Sequence, residues 1–234
     1  ILHSIQVFNK YPRMTYLGLY KNEEEKQNIK IVEKNGIKIA FVSFNQYVNG
    51  VTYQEKLPYM INFHESTMME NMKKARENAD IVIVSCHWGI EYDYYPNTFQ
   101  KNMAKQLADA GADVIIGTHP HTLQDVEYIQ RADGKRTLVA YSLGNFVSGM
   151  LEESCQLEGM LSFDIEKKKI KNVVFTPLVN YYTLTGKRER HDFSVYRLKD
   201  YTNKLVEKHG FPNLTIPYMK EEVKQKVKNI KIDM

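Results

Sequence analysis

The stretch from Ile81 to His121 constrains the fold of this chain more than any other part of the sequence. It opens with Ile81-Val82-Ile83-Val84, a β-branched run without polar alternation, which is typical of a strand buried on both faces of a parallel sheet. Asn97, with Gln100 three residues later, has the pattern of a helix capping box. Val114-Ile115-Ile116 is a second buried run. The stretch therefore predicts a β-α-β unit whose two strands are parallel neighbours.

A histidine lies just past the end of each predicted strand. His87 occurs in Ser85-Cys86-His87-Trp88-Gly89, and His119 and His121 occur in Gly117-Thr118-His119-Pro120-His121. Because open α/β sheets bind ligands at the carboxyl ends of their strands, we expect these imidazoles to converge. Histidine is the commonest neutral nitrogen ligand for zinc, manganese and iron, so the pattern predicts a metal site. Taken singly, each histidine is more often a core or turn residue, and only their joint placement favours metal binding.

The rest of the sequence predicts further strands followed by helices. The Asn35-Gly36 pair between two apolar runs predicts a β-hairpin. Apolar runs joined by glycine- or lysine-rich turns predict antiparallel strands in the second half, with Lys167-Lys168-Lys169 as a solvated hairpin tip. Residues 181–193 form a polar segment rich in arginine and tyrosine, which is more often an exposed loop than a contact for an anionic substrate. Two amphipathic helices are expected from Val195 onward.

Composition narrows the possible classes of protein. The chain has 234 residues, of which 43% are hydrophobic, and this is enough to bury the core of one domain. The formal net charge is only +4, and no basic stripe interleaved with aromatic residues accompanies it, so no nucleic-acid partner is expected. No apolar run approaches the roughly 20 residues that a helix needs to cross a bilayer.

Four motifs, in a fixed order, resemble a known family. They are His87-Trp88-Gly89-Ile90-Glu91-Tyr92, Ala110-Gly111-Ala112-Asp113-Val114-Ile115-Ile116-Gly117, His119-Pro120-His121 and Tyr141-Ser142-Leu143-Gly144-Asn145-Phe146. Together they resemble the bacterial poly-γ-glutamate capsule biosynthesis protein family of the CapA/PgsA type, a branch of the calcineurin-like metallophosphoesterase fold. The resemblance extends from about Thr15 to Phe175.

This resemblance implies an α/β fold, a four-layer α/β/β/α sandwich with metal ions at the carboxyl ends of the strands. It implies that His87 binds one ion and that His119 and His121 ligate a pair of ions between them. The expected cofactor is a divalent metal, manganese, zinc or iron, in a dinuclear site. With His87, we assign Glu91 and Asn145 to the catalytic group. Glu91 would orient a ligand or act as an acid or base, and Asn145 would donate a hydrogen bond to a substrate oxygen; a purely structural role is equally open for both.

The family's Gly-Asp and Asn-Asn-His motifs would precede residue 1, together with the carboxylates that bridge two ions and a hydrophobic membrane anchor. We therefore expect a sandwich that lacks its N-terminal part and whose metal-dependent activity is impaired. Residues 1–180 are expected to be the C-terminal portion of the metallophosphoesterase-like domain. Residues 181–234 are expected to be a helical C-terminal extension packed on the same domain.

Two functions of different classes fit these observations. The first is a metal-dependent, phosphoesterase-like protein in poly-γ-glutamate capsule synthesis or export, acting on an anionic polymer or phosphate-containing substrate at the extracellular face of the cell membrane. The second is a non-catalytic scaffold that binds the polymer or the membrane-bound poly-γ-glutamate synthase subunits, since a fold does not fix a function. A third interpretation is a cytosolic phosphoesterase unrelated to capsule.

Overall fold

The computed structural model describes residues 2–46, 65–186, 188–211 and 213–234. These residues form a mixed α/β fold with two β-sheets. The helices are α1 (Leu2–Phe8), α2 (Glu23–Gln27), α3 (Glu65–Asn78), α4 (Thr98–Asp109), α5 (Asn203–His209) and α6 (Ile216–Lys226). The strands are β1 (Lys30–Lys34), β2 (Ile37–Asn45), β3 (Ile81–His87), β4 (Val114–Thr118), β5 (Val126–Gln130), β6 (Arg136–Ala140), β7 (Leu157–Glu166), β8 (Lys169–Thr185), β9 (Glu189–Arg197) and β10 (Lys231–Ile232).

The larger sheet has the strand order β1-β2-β3-β4-β6-β5. Strands β2, β3, β4 and β6 are parallel, and the edge strands β1 and β5 are antiparallel to their neighbours. The predicted β-α-β unit is confirmed, because β3 pairs in parallel with β4 and α4 connects them. In the second sheet β8 is central, with β10, β7 and β9 beside it.

Local sequence signals account for the turns that frame this arrangement. Asn35 and Gly36 both have positive φ, 54° and 71°, as a two-residue hairpin turn requires, and they join β1 to β2. The capping box predicted at the start of α4 is present: the Asn97 side chain accepts from Gln100 N, and the Gln100 side chain accepts from Asn97 N. Gly111 follows the helix with a φ of 103°, a conformation that glycine adopts without steric cost.

The two faces of the larger sheet pack against different layers. On one face, Val82 and Val84 of β3 share a buried cluster with residues of α3 and α4, including Met72 and Leu107. On the other face, Ala140 of β6 shares a second cluster with residues of the smaller sheet and of α6. Alternate residues of each strand point to opposite faces, so the parallel strands are covered on both sides. The two-sheet α/β sandwich is confirmed.

The prediction for residues 181–193 was wrong in its secondary structure. Strand β8 runs on to Thr185, and β9 pairs with it through residues such as Tyr181 and Ser194. Tyr181 and Tyr182 are aromatic strand formers that are buried against the C-terminal helices, and this burial favours strand over loop. A boundary between residues 180 and 181 therefore falls inside β8, and the C-terminal part begins with strand and becomes helical only at α5.

The C-terminal helices pack on the rest of the molecule. Gly210 ends α5 in the left-handed conformation, with a φ of 80°. At the end of α6, the buried Lys226 donates from Nζ to the carbonyl oxygen of Tyr94 at 2.6 Å. The next residue, Val227, forms a β-bridge with Val126 of β5. Within the described residues, every helix is too short or too polar to cross a membrane.

Candidate metal centre

The parallel pairing of β3 with β4 brings the predicted histidines to one edge of the larger sheet. His87 is the last residue of β3 and lies in register with Thr118, the last residue of β4. His119 and His121 follow in the next loop. Both strands run in the same direction, so their ends meet at the carboxyl edge, where open α/β sheets bind ligands.

The imidazoles lie together at this edge. Ring centroids are 4.5 Å apart for His87 and His119, and 6.1 Å apart for His119 and His121. Glu91 joins them, with Oε1 at 3.9 Å from His121 Nε2. One ligand atom from each of Glu91, His119 and His121 lies within 4.8 Å of the other two. This carboxylate and these two imidazoles are a possible ligand triad, and His87 borders it through its ring contact with His119.

The loop that carries His119 and His121 is strained. His119 has a φ of 101° and His121 a φ of 64°, on either side of Pro120. A side chain other than glycine in this region costs roughly 1–3 kcal/mol and persists only where the surroundings impose it. Backbone hydrogen bonds from Tyr92 N to Pro120 O at 2.8 Å and from Trp88 N to Thr118 O at 3.1 Å hold the loop against its neighbour. Such strain is commonest at functional sites.

Two buried glutamines fix the loop that carries Glu91. Gln100 Nε2 donates to Gln124 Oε1 at 2.8 Å, and Gln124 Nε2 donates to the carbonyl oxygens of Asp93 and Tyr95 at 3.0 and 3.1 Å. Both glutamine side chains are fully buried. A buried amide that loses its partner costs about 1–3 kcal/mol, so this network resists displacement. The backbone that follows Glu91 in this loop is therefore held by buried side chains.

Gly117 allows the backbone behind the site to close tightly. A Cβ atom at this position would lie 1.9 Å from the carbonyl oxygen of Tyr141 and 2.3 Å from Trp88 Nε1. The fully buried Trp88 donates from that nitrogen to the same Tyr141 oxygen at 2.9 Å. The contact joins β3, β4 and the end of β6 directly beneath the histidines.

Asn145 contacts His121 from the loop after β6. Its Oδ1 lies 2.7 Å from His121 Nδ1, and its Nδ2 is 3.4 Å from the backbone oxygen of the same histidine. Because an amide oxygen only accepts hydrogen bonds, Nδ1 of His121 carries the proton that it donates to Asn145, and Nε2 is the ring nitrogen that faces Glu91. The expectation that Asn145 donates to a substrate oxygen stays a prediction, since in this structure its amide is engaged with His121.

The second sheet holds the Asn145 loop in place. Asn180 of β8 donates from Nδ2 to Ser148 O at 2.8 Å and accepts from Ser148 N at 3.3 Å. Gln156 donates from Nε2 to Met150 O at 2.8 Å. Asn180 and Gln156 are fully buried. Loops that follow strands of the larger sheet therefore carry the site, and buried residues in or next to the smaller sheet hold the Asn145 loop in place.

Glu158 was missed by sequence reasoning, because a single acidic residue in a strand is usually exposed. Here it is fully buried, and its Oε1 accepts from Asn145 N at 3.2 Å while Oε2 has no hydrogen-bond partner among the described residues. Burial raises the pKa of the Glu158 carboxyl to about 8, against the opposing effect of the backbone donors of Asn145 and Phe146. At pH 7 the carboxyl is therefore mainly protonated.

The electrostatics favour a neutral His119. Burial is the largest cause that lowers its pKa, the nearby His121 lowers it further, and the Glu91 carboxylate opposes the shift. A neutral imidazole offers a nitrogen lone pair, which is the form that binds metal. The arrangement thus presents two imidazoles and one carboxylate as donors, the ligand set typical of catalytic zinc and of related divalent ions.

The sequence matches a family model over residues 1–150, and that model describes the bacterial capsule synthesis protein PGA_cap. The chain belongs to this family. The match includes the histidine loops and the Asn145 loop and ends before the second sheet.

Curated relatives carry the same description. The chain is 35% identical over 139 residues to the capsule biosynthesis protein CapA of Bacillus anthracis, covering 57% of this chain and 33% of that protein. It is 31% identical over 160 residues to the PGA biosynthesis protein CapA of Bacillus subtilis (strain 168), covering 68% of this chain and 41% of that protein. The chain thus spans a third to two-fifths of the length of these relatives.

Among solved structures, the chain is similar to the NAD nucleotidase NadN of Haemophilus influenzae. The two share 13% sequence identity with a TM-score of 0.40, over 92% of this chain and 37% of that chain. A TM-score at this level does not establish a shared fold.

Proposed function

We propose that this chain is part of a metal-dependent, phosphoesterase-like protein that acts in the synthesis or export of a poly-γ-glutamate capsule. One observation carries the proposal. Ligand atoms of Glu91, His119 and His121 lie within 4.8 Å of one another, in loops that follow the parallel strands β3 and β4. Membership of the capsule synthesis family supports the biological setting.

The donors fit a divalent transition metal. With bonds of about 2.0–2.1 Å to nitrogen and oxygen in a tetrahedral site, ligand atoms lie roughly 3.4 Å apart. The observed spread of up to 4.8 Å therefore needs only a small contraction around an ion. His119 and His121 would supply nitrogen ligands and Glu91 an oxygen ligand, and His87 would complete the set from the end of β3. Bound there, a divalent metal would polarise a phosphoryl or carboxyl oxygen of the substrate.

Asn145 and Glu158 would act on the ligands indirectly, by fixing the orientation of His121 and the charge near the site. Asn145 fixes the tautomer of His121. Removing a residue that hydrogen-bonds to a metal ligand typically weakens metal affinity by about 10- to 100-fold. The protonated Glu158 carboxyl beneath the Asn145 backbone keeps a second negative charge away from the site near neutral pH. The side chain of Glu91 is 46% exposed, so solvent and substrate can reach the carboxylate that would bind the metal.

The wider proposal concerns the protein as a whole. We infer a dinuclear site of manganese, zinc or iron, with further carboxylates supplied from outside the chain, because two dications within about 4 Å require bridging negative charge. The substrate would be an anionic polymer or a phosphate-containing molecule. The partners would be membrane-bound poly-γ-glutamate synthase subunits, and the location would be the extracellular face of the cell membrane.

An apolar rim supports a second candidate, a scaffold that binds the polymer or the synthase without catalysis. Ile90, Phe146 and Val147 lie in the loops of the candidate metal centre and are 53%, 60% and 55% exposed. Exposed apolar residues beside a polar site often mark a contact with another molecule.

Hydrolysis and capsule yield separate the two candidates. The complete native protein, with and without His119→Ala/His121→Ala, would be assayed with bis-p-nitrophenyl phosphate and Mn²⁺, and capsule polymer would be measured in cells. The enzyme proposal predicts that the double variant loses hydrolysis by about 10³-fold, as for the loss of a major catalytic group, together with polymer. Polymer production at normal yield by the double variant would overturn it. A variant with Ile90→Ser/Phe146→Ser that keeps hydrolysis and loses polymer would favour the scaffold.

A further inference from the structure

A second polar cleft lies at the edge of the larger sheet opposite the histidines. It has a volume of about 540 Å³ and opens where β3, β4 and β6 begin, beside Asp80, Asp113 and Arg136. The tip of the β7–β8 hairpin closes it from the second sheet through Lys168 and Lys169. Parallel strands have their amino ends at this edge, so the cleft is separated from the candidate metal centre by the length of the strands.

Positive charge dominates this cleft. Its cationic lining residues are Arg76, Arg131, Lys135, Arg136, Lys168 and Lys169. The carboxylates that line the cleft are Asp80 and Asp113, and Asp133 pairs with Arg131 and Lys135 at 3.0 and 3.6 Å. The local excess is therefore three positive charges. Low-dielectric walls with one dominant charge concentrate ions of the opposite sign.

Ion pairs and hydrogen bonds hold the side chains at the floor of the cleft. Arg131 is only 7% exposed, and its guanidinium contacts Asp113 at 3.5 Å and Asp133 at 3.0 Å. Arg76 contacts the other Asp113 oxygen at 2.9 Å, and that oxygen also accepts from Val82 N at 2.8 Å. Arg131 Nε is buried and has no hydrogen-bond partner in the described part of the chain. A buried charged donor without an acceptor is unfavourable and is commonly relieved by an anion or water.

The rim holds cations that no carboxylate neutralises. Arg136 is exposed and lies over the ring of Tyr128, 4.7 Å from its centroid, without an ion pair to any described carboxylate. Lys169, at the start of β8, is exposed and likewise makes no ion pair within the described ranges. These two side chains face the cleft from opposite sheets. Their amino and guanidinium groups remain available to oxyanions.

We propose that this cleft binds a small ligand that carries at least two oxyanion groups, phosphate or carboxylate, held between Arg136 on one sheet and Lys169 on the other. The cleft volume lies within the roughly 300–1,000 Å³ of sites for small molecules, which favours such a ligand or the end of a chain over a nucleic-acid duplex. The inference is independent of the function proposed for the histidine edge.

Binding of two probes tests the site. Inorganic pyrophosphate and tetraglutamate would be titrated separately into the protein by calorimetry at low ionic strength. Arg136→Ala/Lys169→Ala removes two exposed side chains, and Lys101→Ala/Lys204→Ala removes two exposed lysines elsewhere as a matched control. We expect the cleft variant to weaken binding by about tenfold or more, as for loss of a charge-assisted hydrogen bond, and the control to bind normally.

The two probes distinguish the source of the oxyanions. Binding of pyrophosphate alone assigns the cleft to phosphate compounds, and binding of tetraglutamate alone assigns it to polycarboxylates. Failure of both probes to bind, or an equal loss in the control variant, would overturn the proposal.

A variant that is expected to bind the probe more tightly separates a change in the site from a loss of folding, because an unfolded variant could only bind more weakly. Asp80 pairs with Lys168 at 2.7 Å inside the cleft. Asp80→Asn removes a negative charge, frees the lysine and should tighten binding of the same probe several-fold, with the gain disappearing at high salt. Weaker binding by a variant whose thermal melt is unchanged would contradict the proposal.

Discussion

Two regions of the molecule place histidine in contrasting surroundings. At the carboxyl edge of the larger sheet, His119 and His121 are partly exposed, sit on a strained loop and face the carboxylate of Glu91. In the C-terminal core, His209 is 1% exposed, and its Nδ1 lies 2.9 Å from the hydroxyl of Tyr201. Aromatic rings surround it, including Phe211 at a centroid distance of 5.1 Å.

The comparison shows which features distinguish a metal ligand from a core histidine. Burial lowers the pKa of His119, and it lowers the pKa of His209 to about 4, so a depressed pKa does not separate the two roles. The differences are convergence and strain. His119 and His121 share a carboxylate neighbour and have positive φ angles, whereas His209 is the last residue of an ordinary helix and packs among aromatic rings.

The largest expected effect tests how closely the backbone packs behind the candidate metal centre. Gly117→Ala would place a Cβ atom 1.9 Å from Tyr141 O, which forces the backbone of β4 or β6 to move. We expect a loss of about 5 kcal/mol of unfolding free energy, measured by urea denaturation. Gly134→Ala is the control, because that Cβ meets nothing within 4 Å, and its left-handed φ alone costs about 1 kcal/mol. Equal losses in the two variants would refute the tight packing.

The free energy of unfolding should depend on pH through the titration of Glu158, which lies beneath the Asn145 loop of the candidate metal centre. Its pKa rises from 4.5 in the unfolded chain to about 8 in the folded protein, so the folded state binds the extra proton between these values. Stability is then present at low pH and lost as the pH rises from 4.5 through 8, by about 5 kcal/mol in total. Glu158→Gln, which stays neutral, should remove this loss. Denaturation at pH 5 and pH 9 measures it, and parallel pH profiles for the two proteins would contradict it.

The aromatic core should respond to pH in the opposite direction. The folded pKa of His209, about 4, lies below its ordinary value of 6.5. Its contribution to stability is therefore present above pH 6.5 and lost as the pH falls through 4, by about 3 kcal/mol. His209→Gln should flatten this acid limb while leaving any metal response unchanged. An unchanged acid limb in the variant would show that His209 is not the group responsible.

The smallest expected effect concerns the support of His121 by Asn145. Asn145→Ala removes the partner that fixes the His121 tautomer and should weaken Mn²⁺ binding by about tenfold, or about 1.4 kcal/mol. Asn203→Ala, at an exposed position of α5, serves as the control. Calorimetric titration of both variants measures the difference, and unchanged affinity in the Asn145 variant would remove Asn145 from the site.

The sequence predicted the parts of the site that depend on local patterns. The buried runs of β3 and β4, the Asn97 capping box and the placement of the histidines after the strands follow from periodicity and chain direction. It did not predict Glu158 or Asn180, because their roles depend on the second sheet packing under the Asn145 loop. The sequence also did not predict that residues 181–185 form a strand, because the segment is polar in composition and the burial of Tyr181 and Tyr182 depends on tertiary packing.

Metal-induced stabilisation tests the central claim most directly. Urea denaturation would be followed with and without Mn²⁺ for the chain, for His119→Ala/His121→Ala, and for His3→Ala/His191→Ala, which removes two exposed histidines outside the site. We predict that the chain and the control gain about 2.7 kcal/mol when Mn²⁺ is at a hundredfold its dissociation constant, and that the His119/His121 variant gains nothing. A metal-dependent gain that survives in the His119/His121 variant, or is absent from the chain itself, would contradict the assignment.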